Sequence, residues 1–258
     1  MFCQCEACVR ARDAGGKNLR LRAGLIVNDS AMIDYPPDVM TFSQRFGINF
    51  SLVRDLFVTH SHHDHFDAED LSMRRSPVFC RLPDARPMNV YANRAALDRL
   101  RAYEKEDVLS EYLRLTELTY FTPYTAENGT VFTFLPANHA PWEDAGIYLV
   151  QSGGKTALYA QDTCVIPTQT LDFLKKQSLD LVSLDCTFGK NAPGYSHMGL
   201  PDNRALVAEL REAGALKKAA PVIVNHFTHN CGQLHEELEA EVEQDGFIVS
   251  YDGMIVEI

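Results

Sequence analysis

One short segment holds four histidines and an aspartate in a spacing that is typical of metal ligands. It fits the pattern H-x-H-x-D-H and reads His60-Ser61-His62-His63-Asp64-His65. At the end of an extended strand, His60 and His62 project to the same side and can hold one ion. The turn that follows can direct Asp64 and His65 to a second ion nearby. We expect His63, the variable position, not to be a ligand. A polar, solvated loop is the alternative interpretation.

Each ion needs further donors, and three candidates lie further along the chain: His139, Asp162 and His226. They follow the apolar runs TVFTFLPAN, TALYAQ and APVIVN, each of which is typical of a strand. A single histidine at such a position is ordinarily structural, but three such positions after the histidine motif favour ligation. Imidazole together with carboxylate suits zinc, with manganese or iron as alternatives.

The elements that must position these residues alternate short apolar runs with helical patterns. The apolar runs predict strands over 24–28, 31–34, 55–59, 89–92, 130–135, 146–151, 156–160, 179–184, 221–225 and 247–250. Helices are predicted over 67–74, 95–108, 168–175, 201–213 and 231–243. Gly153-Gly154, between two of the strands, predicts a compact hairpin. Because strands dominate and helices intervene irregularly, the pattern favours a layered α/β fold.

Composition and charge narrow the function classes. With 258 residues, 46% of them hydrophobic, the chain can bury the core of a single domain. A net charge of −11 argues against a surface for nucleic acid, whereas a small anionic substrate is compatible because bound cations reverse the local field. We find no apolar run that would span a bilayer and no secretory start, so we expect a soluble, cytoplasmic protein without a membrane partner.

Three of the seven cysteines lie together as Cys3, Cys5 and Cys8. In a chain without a secretory signal, C-x-C-x-x-C indicates metal binding before disulfides. Three soft ligands are typical of a closed structural zinc site, which then needs a fourth donor. A cluster of reduced cysteines at a frayed terminus is the alternative. We interpret the others as small buried hydrophobic residues: Cys80, Cys164, Cys186 and Cys231.

On the histidine motif and the three downstream ligands, the chain resembles the metallo-β-lactamase superfamily of metal-dependent hydrolases. The resemblance implies a four-layer αβ/βα sandwich of two mixed β-sheets flanked by helices. It also implies two catalytic divalent ions, zinc or manganese, and a hydroxide between them that attacks the substrate. One ion would be bound by His60, His62 and His139. The other would be bound by Asp64, His65 and His226. Asp162 would bridge them, and Asp64 is counted among the catalytic residues as well.

Within this superfamily, the cysteine pattern resembles that of the PhnP-like phosphodiesterases of the carbon–phosphorus lyase pathway. There the fourth ligand lies three residues after the last active-site histidine, which corresponds to His229. The resemblance therefore implies a zinc knuckle at residues 3–8, with one structural zinc bound by Cys3, Cys5, Cys8 and His229. Relatives usually have a strand before the first cysteine, so either that strand is absent or residues precede Met1.

The same phosphodiesterases have a loop histidine that assists proton transfer and binds no metal. His197, in Tyr195-Ser196-His197-Met198, lies in a loop rich in glycine and proline, and the resemblance implies that role for it. An ordinary exposed histidine is the alternative. Asp185, after another strand, either supports a ligating histidine or caps the next turn.

We therefore expect a phosphodiesterase that acts on a small phosphate ester, cyclic or acyclic, with a homodimer among the oligomeric states left open. A lactonase or thioesterase shares the metals without needing His197. A tRNA-processing nuclease would need a basic arm, which the charge does not favour. A non-catalytic relative of the pyrroloquinoline quinone biosynthesis B protein would share the cysteine knuckle.

Overall fold

The computed structural model describes residues 2–75, 78–84, 86–103, 109–192 and 194–258. The chain divides into two compact units, each assembled from segments that are separated in sequence. Unit 1 comprises Met1–Leu21, Leu135–His139 and Ile147–Ile258, and unit 2 comprises Arg22–Phe134 and Ala140–Gly146. The single-domain organisation expected from the sequence stays a prediction.

In chain order, the strands are β1 (Leu25–Val27), β2 (Ala31–Ile33), β3 (Asp55–Phe57), β4 (Met88–Ala92), β5 (Leu113–Glu117), β6 (Pro123–Thr125), β7 (Val131–Pro136), β8 (Gly146–Ser152), β9 (Lys155–Ala160), β10 (Leu181–Asp185), β11 (Val222–Asn225) and β12 (Ile248–Val249). The α-helices are α1 (Glu6–Ala14), α2 (Val39–Phe46), α3 (Ala68–Ser72), α4 (Arg94–Ala102), α5 (Leu109–Tyr112), α6 (Thr168–Leu174), α7 (Leu200–Glu212) and α8 (His235–Val242).

Unit 2 contains a mixed sheet in which β1 to β5 lie side by side in chain order. β1 and β2 are antiparallel, and the other neighbours are parallel. β6 and β7 form an antiparallel hairpin. α4 begins where it does because the Asn93 side chain accepts a hydrogen bond from the Ala96 backbone N–H at 2.9 Å. It then buries Ala96, Leu97 and Leu100, which share one helix face.

Unit 1 contains the second mixed sheet, with strand order β12-β11-β10-β9-β8. β8 and β9 are antiparallel, and the remaining neighbours are parallel. The predicted hairpin is confirmed, because Gly153 and Gly154 join β8 to β9 with φ angles of 56° and 77°. Glycine adopts these angles without steric cost. The expected α/β class, with two mixed sheets and flanking helices, is confirmed.

The core of unit 1 explains why its parallel strands read as continuous apolar runs. Leu158, Val182, Leu184 and Val224 of β9, β10 and β11 are all completely buried. α7 adds Leu206, Val207 and Leu210, which recur at helical spacing on one face. The packed strands therefore form a rigid platform for the loops that follow them.

Strand register determines where the polar residues lie. Within unit 1, Leu184 pairs with Ala160 and Asp185 with Asn225, so β9, β10 and β11 end at one edge of the sheet. Within unit 2, Ile33 pairs with Phe57, so β2 and β3 also end together. In both sheets, the candidate site residues come at or just after these carboxyl ends, where parallel sheets carry their ligands.

Some elements differ from the prediction. The helix predicted from Cys231 is wrong at its start: a 3-10 turn covers His229–Cys231, Gly232 follows with φ 69°, and α8 begins only at His235. The left-handed glycine ends the first turn, so the two cannot be one helix. The helix predicted over 95–108 is observed as α4, and its residues 104–108 lie outside the described residues.

Five other elements have no counterpart in the prediction: α1, α2, α5, β5 and β6. α1 buries none of its residues, and β5 is fully buried only at Leu113, so neither carries a clear apolar period. No helix in the described part of the chain is long and apolar enough to cross a bilayer.

Candidate functional site

The histidine motif of unit 2 begins three residues after β3 ends. The Nε2 atom of His60 lies 2.9 Å from the Nδ1 atom of His62. Donors of a tetrahedral zinc ion with bonds of ~2.0–2.1 Å are roughly 3.3 Å apart, so this pair fits a common ion. His60 is buried and His62 half-buried. The two ring nitrogens are therefore close enough to share one ion, and the ligand role of both residues stays a prediction.

The fourth histidine of the motif is oriented by a residue that the sequence did not single out. Asp34, at the end of β2, accepts a hydrogen bond from Nδ1 of the completely buried His65 at 2.7 Å. The backbone N–H of Thr59 donates to the same carboxylate at 2.8 Å. The bond from Nδ1 of His65 to Asp34 leaves Nε2 as the candidate ligand atom, 3.9 Å from a carboxylate oxygen of Asp64. Burial raises the pKa of Asp34, and the bonds from His65 and Thr59 oppose that rise.

The backbone between the first two histidines is held by Glu143. Ser61 donates to this carboxylate with both its backbone N–H and its hydroxyl, each at 2.9 Å. The amide of Asn93 donates to it at 2.8 Å, and Arg99 donates to the carbonyl of Ser61. Glu143 lies in the loop over 140–145, which also places the indole of Trp142 beside His62, with ring centroids 5.7 Å apart.

In unit 1, the candidates His139 and His226 both lie close to the carboxylate of the third candidate, Asp162. Oδ1 of Asp162 lies 2.8 Å from Nε2 of His226, and Oδ2 lies 3.5 Å from Nε2 of His139. The carbonyl of Ser196 accepts from Nδ1 of His139 at 3.0 Å, which leaves Nε2 of His139 facing Asp162. Asp162 is buried between two histidines that offer their ring nitrogens. This geometry suits a carboxylate that serves ions on both of its oxygens.

Asp185 fulfils both of the roles that the sequence left open. At the end of β10, its completely buried carboxylate accepts from the backbone N–H of Thr187 at 2.8 Å and so caps the following turn. The Thr187 hydroxyl also donates to Asp185 at 2.7 Å and lies 2.8 Å from Nδ1 of His226. The carboxylate thereby supports a candidate ligand through one threonine. The backbone N–H of Thr163 donates to it at 3.3 Å.

The carboxylate of Asp185 also forms a hydrogen bond with His197. Nδ1 of His197 lies 2.7 Å from Oδ2 of Asp185, and the imidazole stacks on His226 with centroids 5.3 Å apart. His197 is half-buried rather than an ordinary exposed loop histidine. One nitrogen from each of His197 and His226, with one oxygen from each of Asp162 and Asp185, lies within 4.8 Å of the others. The geometry of this group alone permits either a ligand or a proton donor at His197.

The three N-terminal cysteines and His229 also meet within unit 1. The Sγ atom of Cys3 lies 3.0 Å from Nδ1 of His229, and that of Cys5 lies 3.8 Å from it. All four ligand atoms, including that of Cys8, lie within 4.8 Å of one another, as a tetrahedral zinc ion requires. The backbone N–H of Cys8 lowers the pKa of Cys5 to about 6, whereas desolvation raises that of Cys8 to about 11. A thiolate is the form that binds zinc.

A family model described as the beta-lactamase superfamily domain matches residues 31–227 of the chain. The chain belongs to the beta-lactamase superfamily. As a member of this superfamily of metal-dependent hydrolases, it carries His and Asp clusters that suit divalent metal ions. The sequence matches no curated protein.

Three solved structures show how widely this superfamily fold is shared. A diphosphatase from the PhnP family is similar with a TM-score of 0.77 and 22% identity, over 100% of this chain and 91% of that one. Zinc-bound PqqB from Methylobacterium extorquens is similar with a TM-score of 0.67 and 14% identity, over 100% and 94%. The short form of human tRNase Z is similar with a TM-score of 0.65 and 14% identity, over 91% of each chain. At these identities the similarity shows the fold.

Proposed function

We propose that this superfamily member is a metal-dependent phosphodiesterase that acts on a small phosphate ester, cyclic or acyclic. The observation that carries the proposal is the contact between Asp185 and His197. It places an imidazole beside Asp162 and His226 while its Nδ1 is engaged by a buried carboxylate. A hydrolase that relied on its metals alone would have no need of this arrangement.

The proposed ligands are those of the sequence prediction. His60, His62 and His139 would hold one ion, Asp64, His65 and His226 would hold the other, and Asp162 would serve both. Zinc and manganese both suit this set of imidazoles and carboxylates. Two bound divalent ions would supply Lewis acidity at the phosphoryl oxygens and lower the pKa of water. The structural zinc is proposed at Cys3, Cys5, Cys8 and His229.

In the proposed reaction, the side chains of the protein donate one proton to the leaving group. Asp185 accepts from Nδ1 of His197, so it orients the ring and makes Nε2 the nitrogen that exchanges a proton. An alkoxide leaving group is a poor one and needs a proton as the ester bond breaks. We assign that donation to Nε2 of His197, and the stack on His226 keeps the ring in place. Positioned acid catalysis of this kind contributes ~10²–10⁴-fold.

The comparisons support phosphoryl chemistry only by analogy of fold. One of the similar structures is described as a diphosphatase of the PhnP family, and another as a tRNase Z. A net charge of −11 favours a small ester over a polynucleotide. A lactone or thioester remains the competing substrate class, because it would use the same ions without His197.

The test combines a substrate panel with His197→Ala. Metal-loaded protein is assayed on bis(p-nitrophenyl) phosphate, cyclic ribose phosphates, a lactone and a thioester. The variant should lose ~10²–10⁴-fold in turnover on an ester with a sugar-alkoxide leaving group, and far less on a p-nitrophenyl ester, whose leaving group needs no proton. Metal content and Tm should match the parent protein.

His63→Ala is the matched control, since His63 is an exposed histidine of the same motif and is not a proposed ligand. It should retain the activity of the parent protein on every ester. Equal losses on good and poor leaving groups with His197→Ala would assign His197 to substrate binding, and loss of a metal ion would make it a ligand. Preferred hydrolysis of the lactone or thioester would overturn the proposed function.

A further inference from the structure

Trp142, the single tryptophan of the chain, lies exposed beside a proposed metal ligand. Its side chain is 72% exposed, and its ring centroid is 5.7 Å from that of His62 at an interplanar angle of 44°. Both residues belong to unit 2. Large aromatic side chains are ordinarily buried because their apolar surface is unfavourable in water. What distinguishes this indole from other exposed apolar side chains is its position beside His62.

The loop that carries Trp142 is held by backbone and side-chain hydrogen bonds. The backbone N–H of Glu143 donates to the carbonyl of Ala140 at 3.1 Å, so a turn spans the indole, and Ala140 has a φ angle of 43°. After this turn, the backbone N–H of Gly146 donates to the carbonyl of Thr59 at 3.0 Å. The Glu143 carboxylate also accepts three hydrogen bonds from Ser61 and Asn93. These contacts fix the backbone under the indole while the ring stays in solvent.

We propose that Trp142 is a specificity-determining residue that stacks on a nucleobase of a phosphate ester bound at the candidate metal centre. The inference rests on the proposed phosphodiesterase function and names the substrate class as base-bearing, mononucleotide-sized esters. A nucleobase offers a flat π-face to the indole, and such stacking raises affinity about 5- to 150-fold per base. Because the indole lies 5.7 Å from His62, the base of an ester whose phosphate is held there would be within reach of Trp142.

A second aromatic group, in unit 1, adjoins the proposed proton donor. Tyr195 is 64% exposed and contacts Phe188 edge-on, with centroids 5.8 Å apart. Phe188 in turn lies 6.2 Å from the ring of His197. Each unit thus carries an exposed aromatic residue close to proposed site residues. The net charge of −11 favours a small ligand over a polyanion.

The single tryptophan makes the experiment selective, because all indole fluorescence reports Trp142. Zinc-loaded protein is titrated with AMP and with ribose 5-phosphate, two probes that differ only in the base. AMP should quench the fluorescence saturably, and ribose 5-phosphate should not. By calorimetry, Trp142→Ala should weaken AMP binding about 5- to 150-fold and leave ribose 5-phosphate binding unchanged. Trp142→Phe, which keeps a ring, should retain most of the AMP affinity.

Phe79→Ala is the matched control, because Phe79 is an aromatic residue of unit 2 that is 63% exposed. It should leave both dissociation constants unchanged, and all variants should keep the parent metal content. Equal affinities of AMP and ribose 5-phosphate, with no effect of Trp142→Ala on either, would overturn the inference. Phosphodiester hydrolysis is assayed on the same preparations. If the protein hydrolyses phosphodiesters but binds AMP and ribose 5-phosphate equally well, only the inference about Trp142 is wrong. If it binds AMP more tightly but hydrolyses no phosphodiester, the proposed function is wrong and the contact between the base and Trp142 is supported.

Discussion

Several site residues have backbone angles that side chains rarely adopt. Asp34, Asp162, Ser196 and His226 have φ angles of 61°, 47°, 57° and 58°. Non-glycine residues with positive φ are uncommon and cluster where function requires a particular direction of the chain. Asp34, Asp162 and His226 each follow a strand end, and Ser196 lies in the loop before α7. Each presents a carboxylate, a carbonyl or an imidazole to its neighbours. These four residues with positive φ angles all belong to the candidate site.

At the residue scale, the role of Asp185 can be tested by Asp185→Asn. An amide cannot accept hydrogen bonds from His197, Thr187 and Thr163 as the carboxylate does, because one of the two oxygens is replaced by an NH2 group, which is a donor. We expect kcat to fall ~10–100-fold on an ester with a poor leaving group, as is usual for residues that orient catalytic groups. KM should change little, and the pH–rate profile should change its shape. Steady-state kinetics across pH measures this.

Asp180→Asn is the control, since Asp180 lies just before the other end of the same strand and accepts from Lys217 at 2.7 Å. That ion pair lowers the pKa of Asp180, so the control should lose some stability above the acid range without losing kcat. If Asp180→Asn and Asp185→Asn reduced kcat equally, the effect would be structural, and the positioning role of Asp185 would be wrong.

The residues that sequence reasoning found are those with unusual side chains in a recognisable spacing. Four histidines around one aspartate, and three cysteines within six positions, are patterns that packing alone does not require. Asp34, Thr187 and Glu143 were missed because their side chains are common and their partners are distant in sequence: Ser61 and Glu143 are 82 positions apart. The signal for Asp34 was its place at the end of β2, beside the strand that leads into the histidine motif.

At the scale of elements, the prediction succeeded where strands are buried on both faces. β9, β10 and β11 read as apolar runs because parallel strands in a covered sheet have no solvated side. The prediction failed for α1 and β5, whose stability comes from contacts that no local pattern records. It failed again at the start of α8, where a left-handed glycine interrupts the chain.

Gly199 tests how closely α7 controls the site. It precedes α7 and follows His197 by two residues. A Cβ at this position would lie 1.6 Å from the carbonyl oxygen of Asn191, which is backbone and cannot rotate away. We expect Gly199→Ala to displace this segment, to destabilise the protein by ~1–3 kcal/mol or more, and to reduce activity with it. Thermal unfolding and kinetics measure both.

Gly24→Ala is the comparison, because a Cβ there meets only side chains, the nearest being Phe42 at 3.2 Å. It should cost less than Gly199→Ala and leave turnover intact. An unchanged Tm and kcat for Gly199→Ala would show that the segment has room to move and that α7 does not fix His197.

At the scale of the whole molecule, the ligand sets predict three ions per chain: two catalytic and one structural. Removing a structural zinc ligand should lower the Tm, because metal binding is coupled to folding. We therefore expect Cys8→Ser to lose one ion and to unfold at a lower temperature. Asp162→Asn should keep the structural ion and the fold but lose activity. Elemental analysis and thermal unfolding on the same samples measure these effects.

Two ions in the parent protein, with neither ion content nor Tm altered by Cys8→Ser, would remove the structural zinc site. If both variants lost stability and activity alike, the division between a structural and a catalytic role would be wrong. Cys80→Ser, at a half-buried cysteine outside the proposed ligands, controls for the substitution itself and should retain all three ions.

The contact between Cys3 and His229 joins residues that are 226 positions apart. A ribosome that adds ~5–20 residues per second needs roughly ten to forty-five seconds to travel that far. Throughout that time the nascent chain carries three adjacent thiols whose imidazole partner has not yet been made. Every residue of unit 2 has been synthesised before His229 exists. The ligand set of the proposed structural zinc site is therefore complete only late in synthesis, and unit 1 is completed last.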